Sequence, residues 1–555
     1  MMNIKTAEFY NREHQGPKGR VIFMSCMGSI TFALLLAVVN QAAEIVADLT
    51  VSGELWLFLI FLAICAVMIV CKYYAMYHTT RIIQKTVRKV RLRLVDKIRH
   101  TELQFVDRKG KGELYARIVQ DTELIALSSP YLLSLFETAL STVVVLFYMA
   151  YISITGFVLA LTGMIIMNII FFSHHIRIKE NLRKARAKEG DFTDAINDTI
   201  SGFKEIRVNT RKNNDLFADI KVLAKESERL KTEAEISNNK NIVSTIVLTL
   251  MVLAIIVFIV PVFSNGHNEV VTELVAATLL ILGMSGLATR YIHSITRSNV
   301  AVENLERLEA ELDSFGTYAA VDARDIIEDF REIALRSVTF QYNRKVDEKS
   351  FTVGPIELDI RQGEVLFIVG GNGSGKSTLM KLLTGLYYPL AGGSITLDDT
   401  ILTRTNYQTY RELFSVIFTD FHLFKKLYGL EPVDEQQVRH LLKEMDIHKK
   451  TDFIDGRFTR IDLSTGQRKR LAYIASLLGD KPIYLFDEWA ADQDPVFRKY
   501  FYIKFLEDLR KMKKTVIAVT HDDRYFDRAD RVIKMEDGQV VEDIRNPGHG
   551  HTLGM

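Results

Sequence analysis

"GGNGSGKS", residues 370–377, is the stretch on which the reading of this chain turns. It follows the apolar run "EVLFIV" (364–369) and opens into "STLMKLLTGL" (377–386). A glycine, four residues, then Gly-Lys-Ser between a strand and a helix is the spacing of a phosphate-binding loop. Gly370, Gly371, Gly373 and Gly375, with Asn372 and Ser374 among them, let backbone N–H groups turn inward around phosphate oxygens. The helix opening at Lys376, Ser377 and Thr378 adds the partial positive charge of its N-terminus. In this motif Lys376 reaches the β- and γ-phosphates and the Ser377 hydroxyl ligates Mg²⁺. Alone, the loop says nucleoside triphosphate and no more.

Two further stretches sharpen it. In "IYLFDE" (483–488) four apolar residues precede Asp487, the pattern of a strand buried on both faces that delivers a carboxylate to its C-terminal edge. Asp487 suits Mg²⁺, and Glu488 suits activation of an attacking water. In "LSTGQ" (463–467), followed by "RKRLAYIASLL", Ser464, Thr465, Gly466 and Gln467 stand at a helix start, a second anion-binding end.

The rest of the chain belongs in lipid. Of 555 residues, 48% are hydrophobic, high for a wholly soluble protein. Six runs, 20–40, 55–76, 129–149, 152–173, 242–264 and 271–293, each approach the ~20 apolar residues a bilayer core requires. The basic stretches 81–99 and 177–188 belong in the cytoplasm, which puts both termini and two long inter-helix loops there. Helical periodicity continues through those loops, so the helices extend past the lipid and reverse near 106–118 and 202–214. After about residue 325, short β-rich runs alternate with helical ones, the pattern of an α/β domain with a mainly parallel sheet.

The expected fold is therefore a membrane α-helical bundle of six transmembrane helices followed by a cytoplasmic α/β P-loop ATPase domain. Its divisions are 1–312 for the bundle, 313–330 for a linker, 331–546 for the ATPase and 547–555 for a tail. A net charge of +2 gives no sign of a nucleic-acid partner. The three cysteines, Cys26, Cys65 and Cys71, lie in apolar runs, with neither metal nor disulfide spacing.

Phosphate loop, LSTGQ, "LFDE" and then a histidine after a strand in "VIAVTHDD" form an order that resembles an ATP-binding-cassette (ABC) ATPase. LSTGQ departs from the family's usual LSGGQ at Thr465. The resemblance implies that Tyr342 stacks on adenine, that His521 contacts the γ-phosphate and that Asp494 lies in a loop crossing a dimer interface. The membrane half resembles the exporter type, through "FVDRKGKGELYARIVQDTELI" (105–125) and "FTDAINDTISGFKEIRVN" (192–209). "SVIFTDFHLF" (415–424) and "LFDEWAADQDP" (485–495) are similar to the subfamily that exports cyclic peptides and peptide siderophore precursors, the syringomycin and pyoverdine type. Where most cassettes carry a glutamine that contacts Mg²⁺, Thr419 stands, with Asp420 a substitute beside it.

One phosphate loop and one LSTGQ cannot complete the family's shared ATP site, so the resemblance implies a homodimer. Its cofactors are ATP and Mg²⁺; its partners are membrane lipid and a peptide-like cargo; its location is the bacterial cytoplasmic membrane. A lipid or lipid-linked flippase and an ATP-driven sensor without transport stay open as alternatives. Polar residues in the spans, among them Asn40, Gln41, Glu44, Asp48, Asn168, His174, His175, Arg290 and His293, lie near span ends, where reaching to the interface competes with a role in cargo binding. The N-terminal region lacks room for a leader-cleaving peptidase.

Overall fold

The computed structural model describes residues 5–13, 19–47, 54–259, 268–315, 329–342, 351–430 and 432–546. The chain divides into two compact units. One is Met1–Val95 with Tyr115–Glu309; the other is Asp96–Leu114 with Ala310–Met555. Most of the expected linker, all of the expected tail, and Asp48 lie outside the described residues.

The first unit is helical. A short α1 (Lys5–Glu13) precedes α2 (Gly19–Ala47) and α3 (Glu54–Arg99). α4 (Leu103–Lys109) and nearly all of α5 (Lys111–Tyr115) count with the second unit; in the first, α6 (Thr122–Ser128) is followed by α7 (Pro130–Ile152) and α8 (Ile154–Ser201). A six-residue α9 (Phe203–Val208) separates α8 from α10 (Thr210–Phe258), and α11 (Asn268–Ser314) follows. Among the described residues, four stretches are long and apolar enough to cross a membrane: Gly19–Ala42, Leu55–Arg99, Lys111–Ile152 and Val271–Ser314. The fourth and fifth expected spans form helix, but their apolar stretches among the described residues, Ile154–Ile166 and Ile246–Phe258, are shorter than a full crossing. Residues 260–264 of the fifth lie outside the described residues.

Apolar side chains such as Leu55, Trp56, Ile69, Val70 and Tyr73 face outward, as lipid rather than water demands. The helices meet over small residues. A Cβ on Gly156 would stand 2.7 Å from Leu274, and one on Gly163 2.5 Å from Val252, so α8 approaches α11 and α10 closely at these points. Ala33, Val145, Met149, Ala277 and Ile281 complete that seam.

The first reversal lies at 100–110, a little earlier than its sequence suggested, because α3 stops at Arg99 and α4 makes the turn. Gly110 ends α4 with φ +78°, a conformation that favours glycine. The second reversal, at Gly202–Asn209, falls inside the expected interval.

The second unit holds two sheets. The six-stranded one runs β12-β11-β3-β10-β9-β6, with β3 (Val365–Gly370), β6 (Phe414–Ile417), β9 (Ile483–Asp487), β10 (Thr515–Val519) and β11 (Arg531–Glu536) parallel, and β12 (Gln539–Arg545) antiparallel at the edge. Its central strands β3, β9 and β10 read as continuous apolar runs because both faces are covered, whereas the edge strand β12 is largely exposed. Leu366, Ile368, Leu485 and Ile517 enter one core cluster, and Val365, Phe367, Phe486 and Val516 the other, the two-residue alternation of a strand. Truncating Phe367, wholly buried, to alanine would cost about 3–5 kcal/mol.

The expectation of one mainly parallel sheet needs correcting for the first strands. β1 (Glu332–Gln341), β2 (Thr352–Arg361), β4 (Ser394–Leu397) and β5 (Thr400–Ile401) form a separate antiparallel sheet, ordered β2-β1-β4-β5. Residues 342–351 are too few for the crossover of about a dozen that a parallel pair needs.

The turn at 100–110 belongs to this second unit. Phe105 is fully buried and packs against Phe315 at 5.2 Å between ring centroids. The Tyr387 hydroxyl donates to Asp107 Oδ2 at 2.8 Å, and Lys381 lies 3.4 Å from the same oxygen. Glu102 has its side chain almost wholly buried and pairs with Arg404 at 3.6 Å.

Candidate active site

β3 stops where the phosphate loop begins, and the loop is shaped by close approach. Gly370 has φ +149°, and a Cβ there would fall 2.3 Å from the Met535 carbonyl oxygen. Gly375, at φ +99°, is the N-cap of α12 (Lys376–Leu383). A Cβ on Gly371 or Gly373 would meet nothing within 4 Å, so the concave side of the loop is open. Lys376 is buried and donates to the carbonyl oxygens of Gly370 at 2.9 Å and Gly371 at 2.8 Å. Burial pulls its ammonium below the usual lysine range, opposed by the charges of Glu488 and Asp487. Ser374 Oγ is buried without a partner, and Asn372 and Ser377 are exposed. The Thr378 hydroxyl lies 3.0 Å from the Tyr342 hydroxyl, so Tyr342, at the end of β1, stands beside α12.

β9 ends on Asp487, 2% exposed, whose Oδ2 accepts from Thr419 Oγ1 at 3.3 Å. Burial pushes this carboxyl above the usual aspartate range, and the Thr419 contacts only partly counter it. Asp420 is exposed and makes no such contact with Asp487. Glu488 follows in the left-handed region at φ +49°, a conformation that costs a non-glycine residue about 1–3 kcal/mol. The turn lifts its carboxylate out of the strand, and Oε1 lies 3.0 Å from His521 Nε2, just beyond β10.

What secures that turn is Lys469, which the sequence reading passed over. Its side chain is 2% exposed; Nζ donates to the Glu488 carbonyl oxygen at 2.6 Å and pairs with Asp492 at 2.6 Å. The pattern "RKR" after LSTGQ was the available signal, but lysine on a helix is ordinarily a solvated residue.

The LSTGQ segment opens α13 (Thr465–Leu478) with Ser464 as N-cap and Thr465 as the first helical residue. Gln467 Oε1 accepts from the Ser464 N–H at 3.3 Å. A Cβ on Gly466 would lie 2.8 Å from the Asp492 carbonyl oxygen, so only glycine admits that approach. Gln493 Nε2 donates to the Gly466 carbonyl at 3.1 Å, and its Oε1 accepts from Arg470 Nε at 2.9 Å. Arg470 Nη2 then pairs with Asp494 at 2.6 Å. Asp494 caps the helix Pro495–Tyr500, and its backbone bond from Phe497 leads the causes that hold its carboxyl below the usual range.

The structure thus groups Lys376, Thr419, Asp487, Glu488 and His521 at the C-terminal edge of the parallel sheet. It links Ser464 to Gln467 with Asp494 in a second group. Among the described residues no hydrogen bond or ion pair joins 463–467 to 370–378. Among them also, no cluster of three or more His, Cys, Asp or Glu offers a protein-only metal cage. One buried carboxylate with neighbouring hydroxyls is instead the donor set that Mg²⁺ uses when phosphates supply the remainder.

Comparison with known proteins gives the setting. The model of the ABC transporter family matches residues 353–491, and that of the ABC transporter transmembrane region matches 21–288. The ATP-binding protein SyrD of Pseudomonas syringae pv. syringae is 30% identical over 548 residues, which cover 94% of both chains. The ATP-dependent lipid A-core flippase of Wigglesworthia glossinidia brevipalpis is 24% identical, over 82% of this chain and 80% of its own. The solved structure of a bacterial Atm1-family ABC exporter with ATP bound matches with a TM-score of 0.75 at 18% identity, covering 95% of this chain and 94% of that one. At that identity the likeness is one of fold.

Proposed function

We propose that this chain, which belongs to the ABC transporters with fused transmembrane and ATP-binding domains, exports a peptide-like cargo as a homodimer that alternates between inward- and outward-open states. That it is an exporter driven by ATP hydrolysis follows from its membership; the cargo, the homodimer and the residue roles are the reading offered here. The observation that carries the residue roles is the grouping of Lys376, Asp487, Glu488 and His521 at one sheet edge.

On this reading the γ-phosphate takes over the Lys376 ammonium from the carbonyls of Gly370 and Gly371. The N–H groups of Gly371 to Thr378 and the Ser374 hydroxyl hold the phosphate oxygens, with Tyr342 against the adenine. Glu488 orients and deprotonates the attacking water, and His521 positions Glu488 and meets the γ-phosphate. Ser377, Asp487 and Thr419 would hold Mg²⁺, which offsets phosphate charge when bound. Asp420, exposed beside Thr419, is the alternative donor to that ion. Ser464, Thr465, Gly466 and Gln467 present a helix N-terminus to the ATP of the second copy. Asp494 is engaged within its own chain and shapes that surface. Both termini lie in the cytoplasm on this reading, and the membrane is the bacterial inner one.

Peptide is favoured as cargo by the likeness of 415–424 and 485–495 to exporters of cyclic peptides and siderophore precursors. Lipid is the second reading, favoured by relatives named as lipid A-core flippases at 24–26% identity. The test is ATPase stimulation in nanodiscs with a peptide panel against a lipid panel. Stimulation by lipids alone would overturn the peptide cargo and leave the ATPase assignment standing.

A further inference from the structure

Within the helical unit, α2, α3, α7 and α11 enclose a cavity of about 350 Å³ that the ATP chemistry does not use. Two ionisable side chains reach it, Lys72 from α3 and Glu137 from α7. Both lie inside expected spans, Glu137 well within 129–149 and Lys72 towards the end of 55–76, and an ionisable group inside a span invites a functional reading. Glu137 Oε1 accepts from the wholly buried Ser25 hydroxyl at 2.5 Å. The Lys72 ammonium stands 5.6 Å from the centre of the Phe32 ring. Among the described residues Lys72 has no carboxylate within ion-pair reach, so the two charges share a cavity without neutralising one another.

A purely structural pair would close on itself, yet these two half-buried side chains make no ion pair with one another. Here each charge has one modest local partner, a hydroxyl or a ring face. Ser134 and Thr138 add hydroxyls to the lining, each donating to a carbonyl of its own helix and left to accept, and Met76 and Met284 add adaptable apolar surface. The volume lies at the lower end of small-ligand pockets and suits a residue or two of a larger cargo.

We propose that this cavity is a cargo subsite for the zwitterionic part of a peptide, its ammonium set against Glu137 and its carboxylate against Lys72. The proposal rests on the peptide-export reading and narrows it. A phosphate-rich headgroup is disfavoured, because Glu137 repels it while Lys72 alone attracts it.

The test uses the full-length protein in nanodiscs and two matched probe pairs. The first pair is the tripeptide Leu-Phe-Leu with free ends and its acetylated, amidated form. The second is a zwitterionic and an anionic lysophospholipid. The free tripeptide should half-stimulate ATPase at a concentration about tenfold lower than the capped one, a difference of about 1.4 kcal/mol. Glu137→Gln and Lys72→Met should each reduce that ratio to about threefold or less, and the exchange Lys72→Glu with Glu137→Lys should restore part of it. The ratio is read within each protein, so a variant of reduced yield still reports. Equal response of the parent to free and capped tripeptide, a ratio that survives in both variants, or a parent that no probe stimulates would overturn the subsite. Stimulation by lipids and by neither peptide would overturn the peptide-export reading with it; stimulation by both peptides alike would remove the subsite alone.

Discussion

At the phosphate loop, Ser374 Oγ is buried without a partner and Lys376 turns back onto its own loop's carbonyls. At the LSTGQ end, Gln467 accepts from the Ser464 N–H, and Gly466, Gln493, Arg470 and Asp494 are engaged in one chain of contacts. The first face is unfinished as a fold and is completed by a ligand. The second is finished as a fold and offers only its outer surface. Damage to the first should therefore appear as lost chemistry, and damage to the second as lost stability.

The largest effect tests the first face. Glu488→Gln should lower ATP turnover by about 10²–10⁴-fold, the range for a removed general base, with ATP still retained and the melting temperature near that of the parent. Parental turnover in that variant would remove Glu488 from its role. Arg470→Ala tests the second face. It strips the buried Gln493 carbonyl and the Asp494 carboxylate of a charged donor, and should cost about 2–3 kcal/mol in urea unfolding. A stable Arg470→Ala protein with lost turnover would invert the contrast.

Asp487 carries the contrast into pH. Burial raises its folded-state pKa above the unfolded value, so the ligand-free protein binds an extra proton between the two values and loses stability as pH rises through that window. Asp487→Asn should then melt higher than the parent at neutral pH without nucleotide. The gap should close as pH falls below the raised pKa, which a melting series from pH 7 to pH 4 would show. The same variant should lose the gain in ATP affinity that Mg²⁺ confers. The smallest effect is Ser464→Ala, which removes an N-cap and should cost about 1 kcal/mol, read as a lower urea midpoint at unchanged slope.

Most of the first face was legible in sequence because its parts are local. The loop lies between one strand and one helix, and Asp487 and Glu488 end a strand whose apolar run announces it. The separate antiparallel sheet was not legible, since nothing in "EIALRSVTFQY" says which sheet it joins. Lys469 escaped because a helix-borne lysine reads as solvated until the Glu488 carbonyl is folded against it. Lys72 and Glu137 sit in spans that remain apolar on average, so hydropathy absorbed them. The Tyr387–Asp107 bond joins residues 280 apart, a distance no local pattern spans.

That last bond bears on how the chain is made. Leu103–Lys109 leaves the ribosome long before Lys381, Tyr387 and Arg404 exist to receive it. With synthesis at about 5–20 residues per second, the segment waits some tens of seconds with Phe105 uncovered. A soluble ATPase fragment cut at residue 331 would be born with the receptacle and without the plug. The ATPase unit is thus sewn from two pieces of chain, and its folding is finished by a stitch laid down before its first strand.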